Sequence, residues 1–386
     1  MRKLVSAVVY LDNAATTYPK PNNVYRVWQH AMSAYGANPG RSGHRLSALT
    51  SEAVYNSRAR CAEFFGAQPE NTVFTLNCTH ALNYAIKGIA HRGCHFVCSD
   101  MEHNAVIRPI NAAAKEFGGS FTLFEATENP EQTLNNAERA INSRTCAVVC
   151  TAASNVLGLR TPLKGLAELC RRKGVLLIVD AAQGAGLLPL SLSDGINILC
   201  TAGHKGLYGP MGTGLMLTDG SVSLNTIIEG GTGSASESIE QPDFMPDRFE
   251  SGTINTAGAI ALGAGVAFIS RKTPAAALKH ELALCKRFCS GVRPLKNVIL
   301  HTDITEQNEQ FYSPVVSFNV REFPSTQTAS MLSDMGFYMR GGLHCAPLAH
   351  KKLGTLETGT VRFSPCVFNT AEETDMLIRT LRTLHA

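Results

Sequence analysis

Along the first two thirds of the chain, short apolar runs end in polar or glycine-bearing turns, and apolar residues at helical spacing follow. Val73-Phe74-Thr75-Leu76 leads into Asn77-Cys78-Thr79, after which Leu82, Ala85, Ile86 and Ile89 fall on one helical face. His95 to Cys98 runs into Ser99 to His103, and Cys146 to Cys150 runs into Ser154-Asn155. Val175 to Val179 runs into Asp180-Ala181-Ala182-Gln183, and Ile196 to Cys200 runs into Gly203-His204-Lys205. Apolar strands alternating with helices predict an α/β fold with a mostly parallel sheet and helices on both faces. Ligands of such sheets bind beyond the carboxyl ends of the strands. His103, Asn155, Asp180, Gln183, His204 and Lys205 all follow strand ends, so the pattern gathers them on one edge.

Beyond residue 260 the pattern changes. A small-residue helix over Ala257 to Phe268 and a second helix over Pro274 to Cys289 precede a strand at Val315 to Val320. Helices near Thr326 to Met335 and Ala371 to Leu384 complete a smaller α+β unit. The division expected is a large domain over 15–260 and a small domain over 261–386, joined by 1–14, where Val8 to Leu11 reads as a short strand. A length of 386 residues agrees with two domains.

Composition narrows the function classes. With 35 Lys plus Arg against 31 Asp plus Glu, and no basic run interleaved with aromatics, the balance argues against nucleic acid. No apolar stretch approaches the roughly 20 residues of a membrane span. Met1 to Val5 resembles the start of a signal peptide, but Asp12 and Asn13 end the apolar run early. A cytoplasmic protein with reduced thiols is expected, and its twelve cysteines form no small-domain framework. The C-x3-C pairs Cys94/Cys98, Cys146/Cys150 and Cys285/Cys289 lack the tighter spacing of structural zinc sites. An offset of four in a strand puts both thiols on one face, as buried small hydrophobes, so no metal is expected.

Lys205 stands in Ala202-Gly203-His204-Lys205-Gly206-Leu207-Tyr208-Gly209-Pro210. By itself it reads as a surface-turn lysine. A phosphate-loop NTPase requires Ser or Thr after the lysine and a helix at once, and Gly206 and Gly209-Pro210 deny both. At the end of a buried strand, however, a lysine amine is partly desolvated and nucleophilic. Asp180 ends another all-apolar strand, as a helix cap or as the partner of a buried cation such as a pyridinium. Lysine and carboxylate together suit a Schiff-base cofactor whose ring nitrogen must stay protonated.

The ordered set of Asp12-Asn13-Ala14-Ala15-Thr16-Thr17, Met101-Glu102-His103-Asn104, Ser154 to Gly158, Asp180 to Gln183 and Gly203-His204-Lys205 resembles the class V aminotransferases. Arg248 to Thr253 and Arg340-Gly341-Gly342-Leu343-His344-Cys345-Ala346-Pro347 narrow the likeness to the cysteine desulfurases, closest to group II and selenocysteine lyase-like members. The resemblance implies a fold type I enzyme that uses pyridoxal 5′-phosphate (PLP). Lys205 would carry the cofactor covalently, Asp180 pair with its ring nitrogen, Gln183 reach its phenolic oxygen and His103 stack on the ring. Thr79, Cys78 and His204 would line the phosphate end, and Thr253 would reach the cofactor of a second subunit in a homodimer. Asn155, Arg362, Arg340 and His44 form the implied substrate-binding set, and Lys205, Cys345 and His103 the catalytic one.

Cys345 is the discriminating residue. One cysteine among twelve is by default a buried small hydrophobe. Its glycine-rich turn, with Arg340 and His344 close by, instead suits an accessible thiolate. The resemblance then implies conversion of L-cysteine to L-alanine, with sulfur left on Cys345 as a persulfide for an acceptor protein or thiol. L-selenocysteine is the alternative substrate, and a PLP-binding regulator without turnover is the reading from another class. Three positions depart from the family pattern. Ala202 stands where a phosphate-binding hydroxyl is usual, so Thr201 or a dimer partner is expected to compensate. Cys78 replaces a small hydroxyl residue or alanine, and Leu343 replaces a histidine.

Overall fold

The computed structural model describes residues 8–40 and 42–384, so the Met1 to Val5 stretch lies outside the described residues. The chain runs β1 (Val9–Tyr10), α1 (Asn22–Ala34), α2 (Arg45–Phe64), β2 (Thr72–Thr75), α3 (Cys78–Ile89), β3 (His95–Ser99) and α4 (Asn104–Glu116). It continues with β4 (Ser120–Phe124), α5 (Pro130–Ala140), β5 (Thr145–Thr151), α6 (Leu163–Lys173), β6 (Leu176–Asp180), β7 (Ile198–Ala202) and β8 (Gly214–Thr218). Then come α7 (Thr256–Lys272), α8 (Pro274–Val292), β9 (Val298–Leu300), β10 (Val316–Val320), α9 (Ser325–Asp334) and β11 (Phe337–Tyr338). The chain closes with β12 (Arg340–Gly342), α10 (Pro347–Leu353), β13 (Thr360–Phe363) and α11 (Ala371–Thr383).

The large sheet has the order β2-β8-β7-β6-β5-β3-β4, and β8 alone runs against its neighbours. Successive residues of its strands feed opposite cores. Val148, Cys150, Leu177, Val179 and Leu199 pack towards α2, α6 and α7. Ala147, Val149, Ile178, Ile198 and Cys200 pack towards α3 and α4. Burial on both faces is why these strands read as continuous apolar runs. One expectation of facing fails. A β-bulge between His95 and Phe96 inserts Cys146, so Cys146 joins the α3/α4 side while Cys150 faces the other core. The offset of four therefore does not put these two thiols on one face, because a bulge reverses the alternation.

The second sheet, β12-β13-β10-β9, is antiparallel throughout, and β1 pairs with β11. Its core joins Val9 and Leu11 to Phe288, Phe318, Phe363, Leu377 and Leu381, with Phe288 stacked on Phe363 at 4.5 Å. The expected division at 260/261 falls inside α7, which packs along α1 and α2 and gives Ile260, Leu262, Val266 and Ile269 to the core beneath the large sheet.

Two buried carboxyl groups brace the large sheet. Arg58 of α2 forms a two-armed pair with Glu250 at 2.6 and 2.8 Å, and Glu250 also accepts from Phe74 N on β2. The loop that carries Thr253 is thereby tied to the sheet edge. Glu102, in the turn after β3, is fully buried and accepts from Ser99 Oγ and from Thr151 N at 2.9 Å. Its Oε2 has no partner among the described residues, and burial raises its pKa to about 8.

Removing one half of a buried ion pair strands the other. Glu250→Ala should therefore cost about 3–5 kcal/mol in urea unfolding, and a loss under about 1 kcal/mol would show the brace to be dispensable. For Glu102 the folded pKa lies above the unfolded one, so stability is full below about pH 4.5 and falls as pH rises towards 8. Glu102→Gln should flatten that decline, gaining on the wild type by roughly 3 kcal/mol between pH 5 and pH 9. Parallel stability curves for the two proteins would mean that Glu102 ionises as an ordinary carboxyl.

Candidate active site

A cavity of about 240 Å³ opens at the carboxyl edge of the large sheet, between the two sheets. Cys78 and Thr79 enter it from α3, His103 from the start of α4, Asn155 from beyond β5, and Asp180 and Gln183 from the end of β6. Ala202, His204 and Lys205 follow β7, while Arg340 and Arg362 reach in from the small sheet. The structure thus joins residues from both halves of the chain in one space.

The turn bearing Lys205 is set by backbone contacts. Tyr208 N donates to Lys205 O at 2.8 Å, and Thr17 Oγ1 donates to the same oxygen at 3.1 Å. A Cβ on Gly206 would sit 2.2 Å from Ala185 O, so only glycine allows this close approach. Burial pulls the Lys205 pKa below its usual range, and the nearby Asp180 charge opposes that pull. The amine therefore loses its proton more readily than a surface lysine does.

Asp180 is buried, and among the described residues no cation lies within ion-pair distance of it. Its Oδ1 accepts from Cys78 Sγ at 3.3 Å and from Ala182 N at 2.9 Å. His204 has an unpartnered buried Nδ1, and burial lowers its pKa to about 4. His103 caps α4, with Nδ1 accepting from Ala105 N at 3.0 Å, and burial lowers its pKa. Gln183 donates from Nε2 to Ala14 O at 2.9 Å.

These groups fit PLP. Asp180 would supply the anion a protonated pyridine nitrogen needs, and Lys205 the amine for its aldehyde. The orphaned His204 nitrogen and the first turn of α3 supply donors for its phosphate. The hydroxyl missing at Ala202 is not restored by Thr201. Adjacent strand residues face opposite ways, and Thr201 turns away to reach Ala181 O at 3.4 Å.

Arg362 is fully buried on β13. It pairs with Asp12 at 2.6 Å through Nη2, donates to Asn155 O through Nη1, and keeps an unpartnered Nε. The guanidinium already holds one carboxylate, the chemistry expected of it for a substrate carboxylate. Arg340 pairs with Arg362 across β12 and β13.

Cys345 lies on the turn that follows β12, and it alone of the twelve cysteines is exposed. Arg340 Nη2 stands 3.8 Å from its sulfur. His344 and Cys345 both adopt left-handed backbone angles, φ 50° and 56°, which cost L-residues roughly 1–2 kcal/mol each. Partners from the large sheet hold the turn in that shape. Asn155 Nδ2 donates to His344 O at 2.9 Å, and Asn104 N donates to Cys345 O at 2.7 Å. His344 differs from expectation. It is buried against His350 and Arg340 O, and its pKa is pushed down to about 2, so it brings no positive charge to the thiol.

Three expected residues are not among those that line this cavity: Cys345, on the turn next to the lining residue His344, and Thr253 and His44, which lie elsewhere. Thr253 is exposed beside a different hollow and accepts from Asn38 Nδ2 at 3.2 Å. His44 is the exposed cap of α2, its Nδ1 accepting from Ser47 N at 3.2 Å. Sequence reasoning missed Lys20, whose Nζ donates to Thr17 Oγ1 and His204 O at 2.6 Å and whose pKa burial lowers to about 8. It braces the Lys205 turn across 184 residues, with no local signal to announce it.

Comparison with known proteins gives the family. The aminotransferase class V family profile matches residues 9–377. A probable cysteine desulfurase of Methanothermobacter thermautotrophicus is 31% identical, covering 97% of this chain and 94% of its own. The cysteine desulfurase IscS of Aeromonas salmonicida is 30% identical, covering 97% and 92%. The apo structure of a cysteine desulfurase from Thermococcus onnurineus superposes with a TM-score of 0.90 at 30% identity, over 98% of this chain and 95% of that one. Fold, site geometry and these likenesses converge, and the chain belongs to the cysteine desulfurase family of the class V aminotransferases.

Proposed function

We propose that this chain removes sulfur from L-cysteine with bound PLP, releasing L-alanine and leaving the sulfur on Cys345. The observation that carries the proposal is the placement of the one exposed thiol beside Arg340, on a strained turn anchored to the cavity wall by Asn104 and Asn155. A strained turn held from outside is the usual mark of a functional position.

Lys205, Asp180, His204 and Thr79 would hold the cofactor. When bound, it supplies an electron sink for the charge left on the substrate carbon. Arg362 receives the substrate carboxylate and fixes which side of the α-carbon faces Lys205. Lys205, its pKa lowered by burial, takes the α-proton at Nζ and holds it for return. Cys345 Sγ then attacks the substrate sulfur. An S–S bond forms as the C–S bond breaks, the bonding pair stays with carbon, and that carbon gains a proton to become the methyl of alanine. Arg340 balances the negative sulfur during the transfer.

The active form we propose is a cytoplasmic homodimer in which Thr253 serves the partner's cofactor. Exposed Trp28, Met32, Leu46, Leu49 and Tyr55 on α1 and α2 support a covered face there. An acceptor protein or thiol would collect the persulfide.

Lys205→Ala should abolish the borohydride-reducible link to PLP. Mass mapping that finds the adduct on another lysine would remove Lys205 from its role. Cys345→Ser should retain PLP and its cysteine-induced spectral change but lose alanine release from cysteine by roughly 100-fold or more, since an alcohol is a poor nucleophile at neutral pH. Release from selenocysteine should fall less. Undiminished alanine, or persulfide mapped to a different cysteine, would overturn the proposed transfer.

A further inference from the structure

We infer that Cys78 is a positioning residue for Asp180, its thiol proton holding Oδ1 so that Oδ2 is left for the ring nitrogen of the cofactor. This rests on the PLP reading above.

Cys78 opens α3 and lines the cavity, with its sulfur 3.3 Å from Asp180 Oδ1. Ala182 N donates to the same oxygen at 2.9 Å. Two donors converging on one oxygen fix the rotation of the carboxylate about its Cβ–Cγ bond. The direction of the hydrogen bond follows from its surroundings. Burial, and then the adjacent Asp180 charge, hold the thiol well above its ordinary pKa, so sulfur keeps its proton and donates. A thiol is a weaker donor than a hydroxyl. It therefore orients the carboxylate while leaving most of the negative charge for the ring proton. Alanine here would leave Oδ1 with the backbone amide alone. Serine would draw more charge, from a shorter side chain.

The test begins without cofactor. In the apoprotein, the infrared S–H band lost in Cys78→Ala should lie below the free-thiol position, and the wild-type band should move up in Asp180→Asn. The second measurement is PLP affinity by equilibrium dialysis. Cys78→Ala should weaken binding roughly two- to tenfold, the range of one net hydrogen bond, and should add nothing in the Asp180→Asn background. Cys78→Ser should recover part of the loss, which separates a lost donor from damage to packing. The ¹⁵N shift of labelled bound PLP should report a less fully protonated ring in Cys78→Ala. A thiol band at the free position and indifferent to Asp180→Asn would overturn the inference, as would equal losses of affinity in both backgrounds. Failure of the wild type to bind PLP at all would overturn the cofactor reading and this inference with it. An intact PLP complex with an unshifted thiol band overturns this inference alone.

Discussion

Asp180 is a carboxylate buried at the end of an all-apolar strand, with no cation of its own among the described residues. Burial of an uncompensated charge is costly, and the large sheet is built to tolerate it. β5 and β7 flank β6 on both sides, so the strand that delivers Asp180 is held on both edges. Cys78 and the Ala182 amide share Oδ1, while the amine of Lys205 lies in the same cavity. A further acid, Glu102, keeps its proton to about pH 8 because of its burial, with a smaller push from the Asp180 charge. Asp180 is the one carboxyl group among the residues that line the cavity.

The small sheet answers with positive charge. Arg340 and Arg362 sit opposite one another on β12 and β13, and Asp12 partly balances them from the chain's first segment. The approach of that segment is fixed by β1 pairing with β11, by Ser364 N donating to Leu11 O and by Asn13 N donating to Ser364 O. The turn with Cys345 is anchored on three sides, by Asn104, by Asn155, and by α10, whose Lys352 pairs with Asp100 at 2.6 Å. A nucleophile on a free loop would lose much of its advantage to disorder. Here the backbone is held while the sulfur stays exposed.

The sheet was legible because strands buried on both faces leave short apolar runs, each closed by a polar or glycine-bearing turn. The strand-end residues were legible for the same reason, since their polarity interrupts those runs at one edge. What escaped depends on partners far away in sequence. The bulge at Cys146 arises where β3 and β5 disagree in length, which neither strand reveals alone. Thr201 reads as a substitute for the hydroxyl missing at Ala202 only if strand alternation is overlooked. The burial of His344 depends on His350 and Thr355, in a segment that carries no repeated pattern.

His344 also shows how charge is apportioned around the exposed sulfur. A cationic histidine there would add a third positive charge to those of buried Arg362 and exposed Arg340. Desolvation and those two guanidinium groups instead keep it neutral, and its Nε2 meets Arg340 O at 3.2 Å. The imidazole thereby shapes the turn while Arg340 alone supplies the positive charge beside Cys345. Near the cavity, burial lowers the pKa of the Lys205 amine and raises that of Glu102 to about 8.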